Sequence, residues 1–233
     1  MSARKATYYS DPDVVREYDR RRFGRGGGRY VAWKEEATIR ELIRQMELGP
    51  GAVALDCPSG TGRFVPLLRN AGLRVVGIDI SPAMLELTAS FGVPCVRASA
   101  DALPLSSNSL SLWLMSRFAF HFSDLHPLFR EAARVLAPGG WLLFDIYHWT
   151  PRSWLPGDQR WLGGRVHTHS RAQLAGWLAE SGLELVREEP TFLLAPYLYG
   201  FMPAFLPRWL DYAGETLSPE WKTKSYIAAR RPL

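Results

Sequence analysis

The chain has 233 residues, of which 47% are hydrophobic and 22% are charged, and its formal net charge is +5. These values are typical of a globular protein with a full core, and the modest positive charge permits an anionic ligand without requiring nucleic acid. No apolar run reaches the length of about 18 residues that a membrane span needs, and residues 1–11 contain no secretory apolar segment. We therefore expect a cytoplasmic protein without a membrane span.

The residues that commonly bind metals are few. Cys57 and Cys95 are the only cysteines and form no CxxC pair, so the sequence indicates neither a disulfide framework nor a cysteine-rich zinc site. His167 and His169 would share one face of a strand, but two histidines without a third ligand are more often ordinary polar surface. We predict no metal.

The amino-terminal part is predicted to form two helices, over residues 11–23 and 30–48, with apolar residues at helical spacing. Residues 24–28 between them are nearly all glycine, which predicts a break. The arginines around this break either form a solvated surface beside a hinge or a flexible basic arm that contacts phosphate or carboxylate. They are Arg20, Arg21, Arg22, Arg25 and Arg29.

A glycine loop follows the first predicted strand. The apolar run Val53 to Leu55 ends in Asp56, and the chain then turns through Gly60 and Gly62 into a segment with helical periodicity. Glycine lets a ligand approach the backbone, and the following helix presents free N–H groups. This unit predicts a ligand-binding loop.

Strands and helices alternate along the rest of the chain, with helix caps predicted at Ser81, Asp124 and Ser170. This alternation predicts an α/β fold with a doubly wound, mostly parallel sheet that helices cover on both faces. The further strands are predicted at Leu73 to Asp79, Val93 to Val96, Leu110 to Met115, Trp141 to Asp145, Leu183 to Val186 and Lys224 to Ala229.

Polar residues fall where these strands end: Asp56, Asp79, Asp101 and the pair Ser116-Arg117. In parallel sheets, ligands bind beyond the carboxyl ends of the strands, where the strand order reverses. One acid alone would be explained as a helix or turn cap. Two acids at successive strand ends after a glycine loop favour a ligand site.

Four segments occur in a characteristic order within residues 50 to 147: Leu55 to Gly62, Gly77 to Met84, Asp101 to Pro104, and Arg134 to Gly140. Their order and spacing resemble the motifs of class I S-adenosylmethionine-dependent methyltransferases, of the small-molecule type related to quinone-biosynthesis C-methyltransferases. The chain departs from the family at Pro58, where glycine is usual. The resemblance implies a Rossmann-like sheet of seven strands with an antiparallel last strand.

The resemblance also implies S-adenosyl-L-methionine as the cofactor. The glycine loop would pass beside its methionine part, and Asp79 would accept hydrogen bonds from the ribose hydroxyls. Asp101 would bind the amino group of the adenine, and Ile80 and Met84 would pack on the adenine itself. The implied cofactor-binding residues are Asp56, Cys57, Pro58, Ser59, Gly60, Gly62, Asp79, Ile80, Met84, Ala100, Asp101, Ala102, Ser116 and Arg117.

A dinucleotide site is the main competitor, because it also combines a glycine turn with an acid some 20 residues later. Its G-x-G-x-x-G fingerprint does not match this sequence, whether the first glycine position is placed at Pro58 or at Gly60. The glycine pattern therefore argues against hydride transfer. A P-loop is excluded because no Gly-Lys-Ser/Thr follows. A nicotinamide-dependent oxidoreductase and a non-catalytic cofactor-binding protein remain as alternative functions.

The residues after the fourth strand bear on the acceptor. Residues 116–121 differ from the Asn/Asp-Pro-Pro-Tyr/Phe of many enzymes that methylate nucleic-acid bases, and resemble the small-molecule branch, so we expect a small-molecule acceptor and no nucleic acid. His121 either acts as a general base or shapes the pocket, with Tyr147 and His148 as further candidate catalytic residues. Arg117 either holds an acidic substrate or forms a salt bridge.

We expect one domain over residues 1–233. It would comprise a helical cap (1–48), a cofactor-binding half (49–147) and a carboxyl-terminal half (148–233). An insertion over residues 191–221 is rich in aromatic residues and broken by prolines. With the cap it forms either a lid over an aromatic-lined acceptor pocket or a helical hairpin that packs on the sheet or on a partner subunit. The oligomeric state is left open.

Overall fold

Seven strands form one sheet in the order β3-β2-β1-β4-β5-β7-β6 in the computed structural model, which describes residues 12–155, 165–203, 205–214 and 218–233. β1 to β5 pair in parallel with their neighbours, whereas β7 is antiparallel to β5 and β6. The predicted sheet and its antiparallel last strand are therefore confirmed. The strands are β1 (Val53–Asp56), β2 (Arg74–Asp79), β3 (Cys95–Arg97), β4 (Leu110–Met115), β5 (Leu136–Tyr147), β6 (Glu184–Phe192) and β7 (Lys224–Arg230).

Helices cover both faces of the sheet. On one face, Leu42 and Leu68 from two helices pack with Leu112 and Leu143 of the strands; on the other, Phe129 and Leu174 from two further helices belong to a second core cluster. The helices are α1 (Pro12–Phe23), α2 (Gly26–Gln45), α3 (Val65–Asn70), α4 (Pro82–Ala89), α5 (His126–Val135), α6 (Arg171–Glu180), α7 (Pro196–Tyr199) and α8 (Phe205–Ala213).

Ser81 and Ser170 occupy the N-cap positions of their helices as predicted, whereas Asp124 lies one residue before Leu125, the N-cap of α5. Ser81 Oγ accepts the Met84 N–H at 3.2 Å, and Asp124 Oδ1 accepts the His126 N–H at 2.9 Å. Ser170 forms a capping box with Gln173, in which each side chain bonds the backbone N–H of the other residue. Local sequence thus sets where α4, α5 and α6 start.

The predicted break between the two helices is present but covers only residues 24–25, because α2 begins at Gly26 rather than at Tyr30. Gly27 and Gly28 are buried inside the helix. A Cβ atom on Gly27 would lie 2.0 Å from the carbonyl oxygen of Tyr199. These glycines therefore permit close backbone packing within a helix, and do not form a hinge.

Two strands are longer than predicted. β5 begins at Leu136, because residues 136–140 extend the strand and Leu136 pairs with Leu110 of β4. β6 continues to Phe192, since it pairs with β7 as far as Lys224. The first two residues of the insertion over 191–221 therefore belong to the sheet.

The two helices of the insertion, α7 and α8, pack against α2. The buried Asp211 of α8 accepts hydrogen bonds from Tyr30 Oη at 2.8 Å, from Lys34 Nζ at 2.6 Å and from the Tyr199 hydroxyl. Tyr199 also belongs to an apolar cluster with Phe23 of α1. Among the helices that the structure describes, none combines the length and apolarity needed to cross a membrane.

Candidate functional site

The glycine loop between β1 and α3 is held by backbone hydrogen bonds. Ser59 N–H donates to the Ile78 carbonyl at 2.9 Å, and Gly62 N–H donates to the Ser59 carbonyl at 2.9 Å. Gly60 and Gly62 have φ values of 55° and 77°, in the left-handed region that favours glycine. A Cβ on Gly60 would meet no described atom within 4 Å, whereas one on Gly62 would lie 2.9 Å from the Phe91 ring. Gly60 thus borders open space and Gly62 borders protein.

Asp79, at the end of β2, faces this loop. Its Oδ2 accepts the Gly60 N–H at 3.0 Å, and its Oδ1 accepts the Ser81 N–H at 2.9 Å. Burial raises the pKa of Asp79, and the hydrogen bonds from these backbone groups oppose that rise. A carboxylate oxygen has more than one acceptor direction, so both oxygens retain capacity for a ligand.

Asp56 is fully buried behind the loop at the end of β1. Neither of its carboxylate oxygens has a hydrogen-bond partner among the described residues. Burial and the nearby charge of Asp79 raise the pKa of Asp56 well above its usual value. Because buried polar groups are nearly always satisfied, this orphaned carboxyl group indicates a missing donor.

Two cavities open at the carboxyl ends of the strands and share the residues Pro58, Asp79, Ile80 and Phe118. The first cavity extends past Arg63 toward α1. The second reaches the segment after β3, from Ala98 to Asp101. Together they form an elongated site at the point where the strand order reverses between β1 and β4.

Most of the predicted cofactor-binding residues line these cavities. The first is lined by Pro58, Ser59, Gly60, Asp79, Ile80, Met84, Ser116 and Arg117, and the second by Cys57, Pro58, Asp79, Ile80, Ala100 and Asp101. Asp56 and Gly62 lie behind the loop and line neither cavity. Ala102 is exposed, because its N–H turns back to the Ser99 carbonyl. Asp56, Gly62 and Ala102 therefore contribute to the predicted cofactor site at most indirectly.

The roof of the first cavity comes from the amino-terminal cap, one of the two segments of the predicted lid. Tyr18, Asp19 and Phe23 of α1 line it, and the guanidinium groups of Arg63 and Arg117 lie 4.3 and 5.2 Å from the centre of the Phe23 ring. Such cation–π contacts attach α1 to the rim of the site. No described residue of the insertion lines either cavity, so the cap closes the site directly and the insertion supports it from behind.

A buried charge cluster lies under this roof. Glu35 of α2 is fully buried and accepts hydrogen bonds from Arg63 at 2.6 Å, Arg117 at 2.9 Å and Lys224 at 2.8 Å. Burial by itself would raise the pKa of Glu35, but the charges of Lys224, Arg117 and Arg63 outweigh it and hold that pKa well below its usual range. Glu35 therefore remains ionised, and no local motif marked it.

Arg117 has the unusual φ of 59° for a residue with a side chain. Its N–H donates to Asp145 Oδ1, and Lys224 Nζ lies 3.1 Å from Asp145 Oδ2. Arg117 Nε and the buried Ser116 Oγ have no hydrogen-bond partner among the described residues. This strained turn directs buried donors toward the first cavity.

The three predicted catalytic residues are separated. His121 lines the first cavity and contacts Phe120 with a ring-centre distance of 4.3 Å. Tyr147 is buried beside Phe120 and lines neither cavity. Burial raises the pKa of its hydroxyl, so the hydroxyl stays protonated and cannot accept a proton from the acceptor. His148 Nε2 lies 2.9 Å from both Glu188 Oε1 and Ser225 Oγ, beside β6 and β7. This geometry favours a structural role for His148.

The contacts of His169 also favour a structural role. It is buried, its N–H donates to the Tyr147 carbonyl at 2.9 Å, and its Nε2 lies 3.0 Å from the Phe122 carbonyl. Burial lowers the pKa of His169. Within the described ranges, no group of three or more His, Cys, Asp or Glu residues is arranged to hold a metal ion.

Comparison with known proteins gives a consistent match. Residues 55–144 match the family model described as a methyltransferase domain. The chain is 32% identical over 127 residues to the demethylmenaquinone methyltransferase of Corynebacterium kroppenstedtii, covering 54% of this chain and 53% of that protein. It is 32% identical over 165 residues to the malonyl-[acyl-carrier protein] O-methyltransferase of Alcanivorax borkumensis, covering 66% of this chain and 56% of that protein. The chain thus spans about half the length of these curated relatives.

The fold is also found among solved structures. Phosphoethanolamine N-methyltransferase 2 of Haemonchus contortus, in complex with S-adenosyl-L-methionine, superposes with a TM-score of 0.70 at 18% identity. The match covers 96% of this chain and 58% of that chain. At this identity the likeness establishes the Rossmann-like architecture of the sheet and its helices.

Proposed function

Because the chain belongs to the class I S-adenosylmethionine-dependent methyltransferase family, we propose that it binds this cofactor and transfers its methyl group to a small, apolar or aromatic acceptor. The observation that carries the proposal is the carboxylate of Asp79, which lies at the shared wall of the two cavities beside Gly60, itself facing open space. Ser116 Oγ and Arg117 Nε line the first cavity without a partner among the described residues, and acceptors on the methionine part of the cofactor would satisfy them. The residues present therefore fit the cofactor.

The two cavities divide the cofactor between them. Asp79 lies where they meet and has acceptor capacity for the ribose hydroxyls. The adenine would occupy the second cavity, near Asp101, and the methionine part would occupy the first. There Arg63 and Arg117 provide positive charge that suits a carboxylate.

When bound, the cofactor supplies a methyl group that its sulfonium already activates. The protein mainly has to align the acceptor and exclude water. Phe23 and Phe118 provide apolar walls in the first cavity, and α1 covers it. Excluding water there favours an apolar or aromatic acceptor.

His121 is the residue best placed to act on the acceptor, because it lines the first cavity while Tyr147 and His148 do not. If the acceptor carries a hydroxyl or an amine, His121 can accept its proton as a general base. If the acceptor is an acidic ring carbon, His121 shapes the apolar wall with Phe118 and Phe120.

Calorimetry tests the proposal directly. We expect S-adenosylmethionine and its demethylated product to bind in the micromolar range and NAD(H) and NADP(H) not to bind. The Asp79→Ala variant should lose binding, while Asp124→Ala, in a surface helix cap, should retain it. Binding of a nicotinamide cofactor instead would exclude methyl transfer. Acceptors should then be screened from aromatic and quinone-like compounds, with transfer of a labelled methyl group as the readout; failure of every acceptor class would favour a non-catalytic binding protein.

A further inference from the structure

Three exposed aromatic residues form a stripe along α8. Phe205, Trp209 and Tyr212 are between 62% and 74% exposed, whereas Pro207 and Asp211 of the same helix are buried. Positions i, i+4 and i+7 share one face of a helix. Since burying an aromatic side chain is favourable, so large an exposed apolar face marks a contact surface.

The surface continues onto α2. Trp33 is 60% exposed and lines one groove with Arg208 and Tyr212. Phe201 is 88% exposed and precedes Met202, whose carbonyl accepts the Gly27 N–H at 3.1 Å. We call Trp33, Phe201, Phe205, Trp209 and Tyr212 the aromatic surface.

The charges that border the aromatic surface are mainly positive. Arg208 lies on the exposed face of α8, and the only acid of that helix, Asp211, is buried. Arg25 and Arg29 are exposed on either side of Gly27, which contacts the segment beside Phe201.

The acids of α2 near this surface have cationic partners. Glu41 forms an ion pair with Arg44 at 2.6 Å, and Glu36 lies 3.9 Å from Arg63. The exposed residues Arg25, Arg29 and Arg208 thus account for the positive charge around the aromatic surface.

This combination fits an anionic lipid surface. Tryptophan and tyrosine are enriched where a protein meets the headgroup region of a bilayer, and arginine is attracted to anionic headgroups. A second copy of the chain fits less well, because a two-fold contact would bring the same arginines together. A protein partner would need acidic residues placed around an apolar groove.

The aromatic surface adjoins the roof of the first cavity. Phe23 packs in one apolar cluster with Met202 and Tyr199, and the same Phe23 lines the cavity. We propose that the aromatic surface docks this protein on an anionic lipid surface, with α8 lying in the headgroup region. Docking goes beyond the proposed methyl transfer and does not depend on it.

Vesicle sedimentation with the whole chain tests the proposal. We expect binding to phosphatidylcholine vesicles that contain about 25% phosphatidylglycerol, and much weaker binding to phosphatidylcholine alone or in about 0.5 M salt. The double variant Phe205→Ser/Trp209→Ser should weaken binding at least about tenfold. Arg25→Gln and Arg29→Gln should each weaken it about fivefold.

Trp221→Ser provides a matched control. Trp221 is 64% exposed, and its neighbour Glu220 lies near Arg171 of α6, on the opposite face of the sheet. The pKa of Arg171 is raised mainly by its hydrogen bond to Glu188 and further by the charge of Glu220. The Trp221→Ser variant should bind vesicles as tightly as the unchanged protein does. All variants should keep the same melting temperature and bind S-adenosylmethionine equally, because their side chains are exposed and line neither cavity.

Three outcomes would overturn the proposal. The first is recovery of the unchanged protein in the supernatant with anionic vesicles at low salt. The second is sedimentation of the double variant to the same extent as the control, which would assign the surface to another protein. The third is a dimer in light scattering that the double variant converts to a monomer without any change in vesicle binding, which would assign the surface to a second copy.

Discussion

Glu35 and Lys224 form a buried ion pair with an Nζ–Oε1 distance of 2.8 Å, although they are 189 positions apart in the chain. Lys224 starts the antiparallel last strand and Glu35 lies on the second helix. Burial would lower the pKa of Lys224, but the charges of Asp145 and Glu35 raise it instead. The pair thus joins both ends of the described chain beneath Arg63 and Arg117, at the rim of the site.

Glu35→Gln should therefore be strongly destabilising. It leaves Arg63, Arg117 and Lys224 with less compensating negative charge, and we expect a loss of about 3–5 kcal/mol in the free energy of unfolding, measured with urea. Glu36→Gln, at a more exposed neighbour, should change it by less than about 0.5 kcal/mol. A loss as small as the control's would show that the cluster is loosely solvated.

The pH dependence gives a second measure of the same cluster. The pKa of Glu35 is lower in the folded protein than in the unfolded chain, so its stabilising contribution is present above the unfolded value of about 4.3 and disappears as the pH falls below it. The difference in stability between the unchanged protein and Glu35→Gln should shrink on acidification. An unchanged difference down to about pH 3 would contradict this assignment.

Asp56→Asn should have the opposite effect on stability. The folded pKa of Asp56 is raised, so this residue destabilises the fold as the pH rises above its unfolded value of about 3.9. We expect a gain of about 1–3 kcal/mol at neutral pH that vanishes near pH 3. Equal stability at both pH values would show that Asp56 is ionised without cost in the empty site.

The two loop glycines form a matched pair. Gly60→Ala introduces a Cβ into open space, so it should cost only about 1–2 kcal/mol for its positive φ, yet weaken cofactor binding at least about tenfold by filling the cavity. Gly62→Ala meets the Phe91 ring at 2.9 Å and the Thr88 Cα at 3.0 Å and should lower the melting temperature further. The reverse order of melting temperatures would be incompatible with the described loop.

His121 and His148 can be separated by their substitutions. Once an acceptor is found, His121→Gln should reduce kcat about 10²- to 10⁴-fold if its acceptor group is a hydroxyl or an amine, with cofactor affinity changed by less than about threefold. His148→Gln breaks contacts with Glu188 and Ser225 and should lower the melting temperature while leaving kcat unchanged. If His148→Gln lost a large part of kcat while His121→Gln did not, His148 and not His121 would be the catalytic residue.

The sheet was predictable from the sequence because its determinants are local. Short apolar runs, several of them ending in acids, predicted the parallel strands, and Ser81 and Ser170 marked helix starts that the structure confirms. The glycine loop and Asp79 were predicted from the same local pattern, and the structure places both at the shared wall of two cavities.

A lid that includes the amino-terminal helices was predicted, but the residues of the roof and of the charge cluster were not, because they depend on contacts between distant segments. Glu35 occupies an ordinary position in an amphipathic helix, and only the fold brings it to Arg63 and Lys224. Glycines at 26–28 resemble a flexible break, since a composition pattern cannot show that Tyr199 will pack against them. The insertion's aromatic residues suggested a pocket lining, but Phe201 and Trp209 face solvent.

The close approach of Gly27 to Tyr199 has a mechanical consequence. Because the two backbones touch without an intervening side chain, the start of α2 and the turn after α7 have no room to slide past each other. Phe23 above the first cavity packs in the same apolar cluster as Tyr199 and Met202. We therefore expect the roof and the segment beside Phe201 to move as one rigid body and not independently of each other.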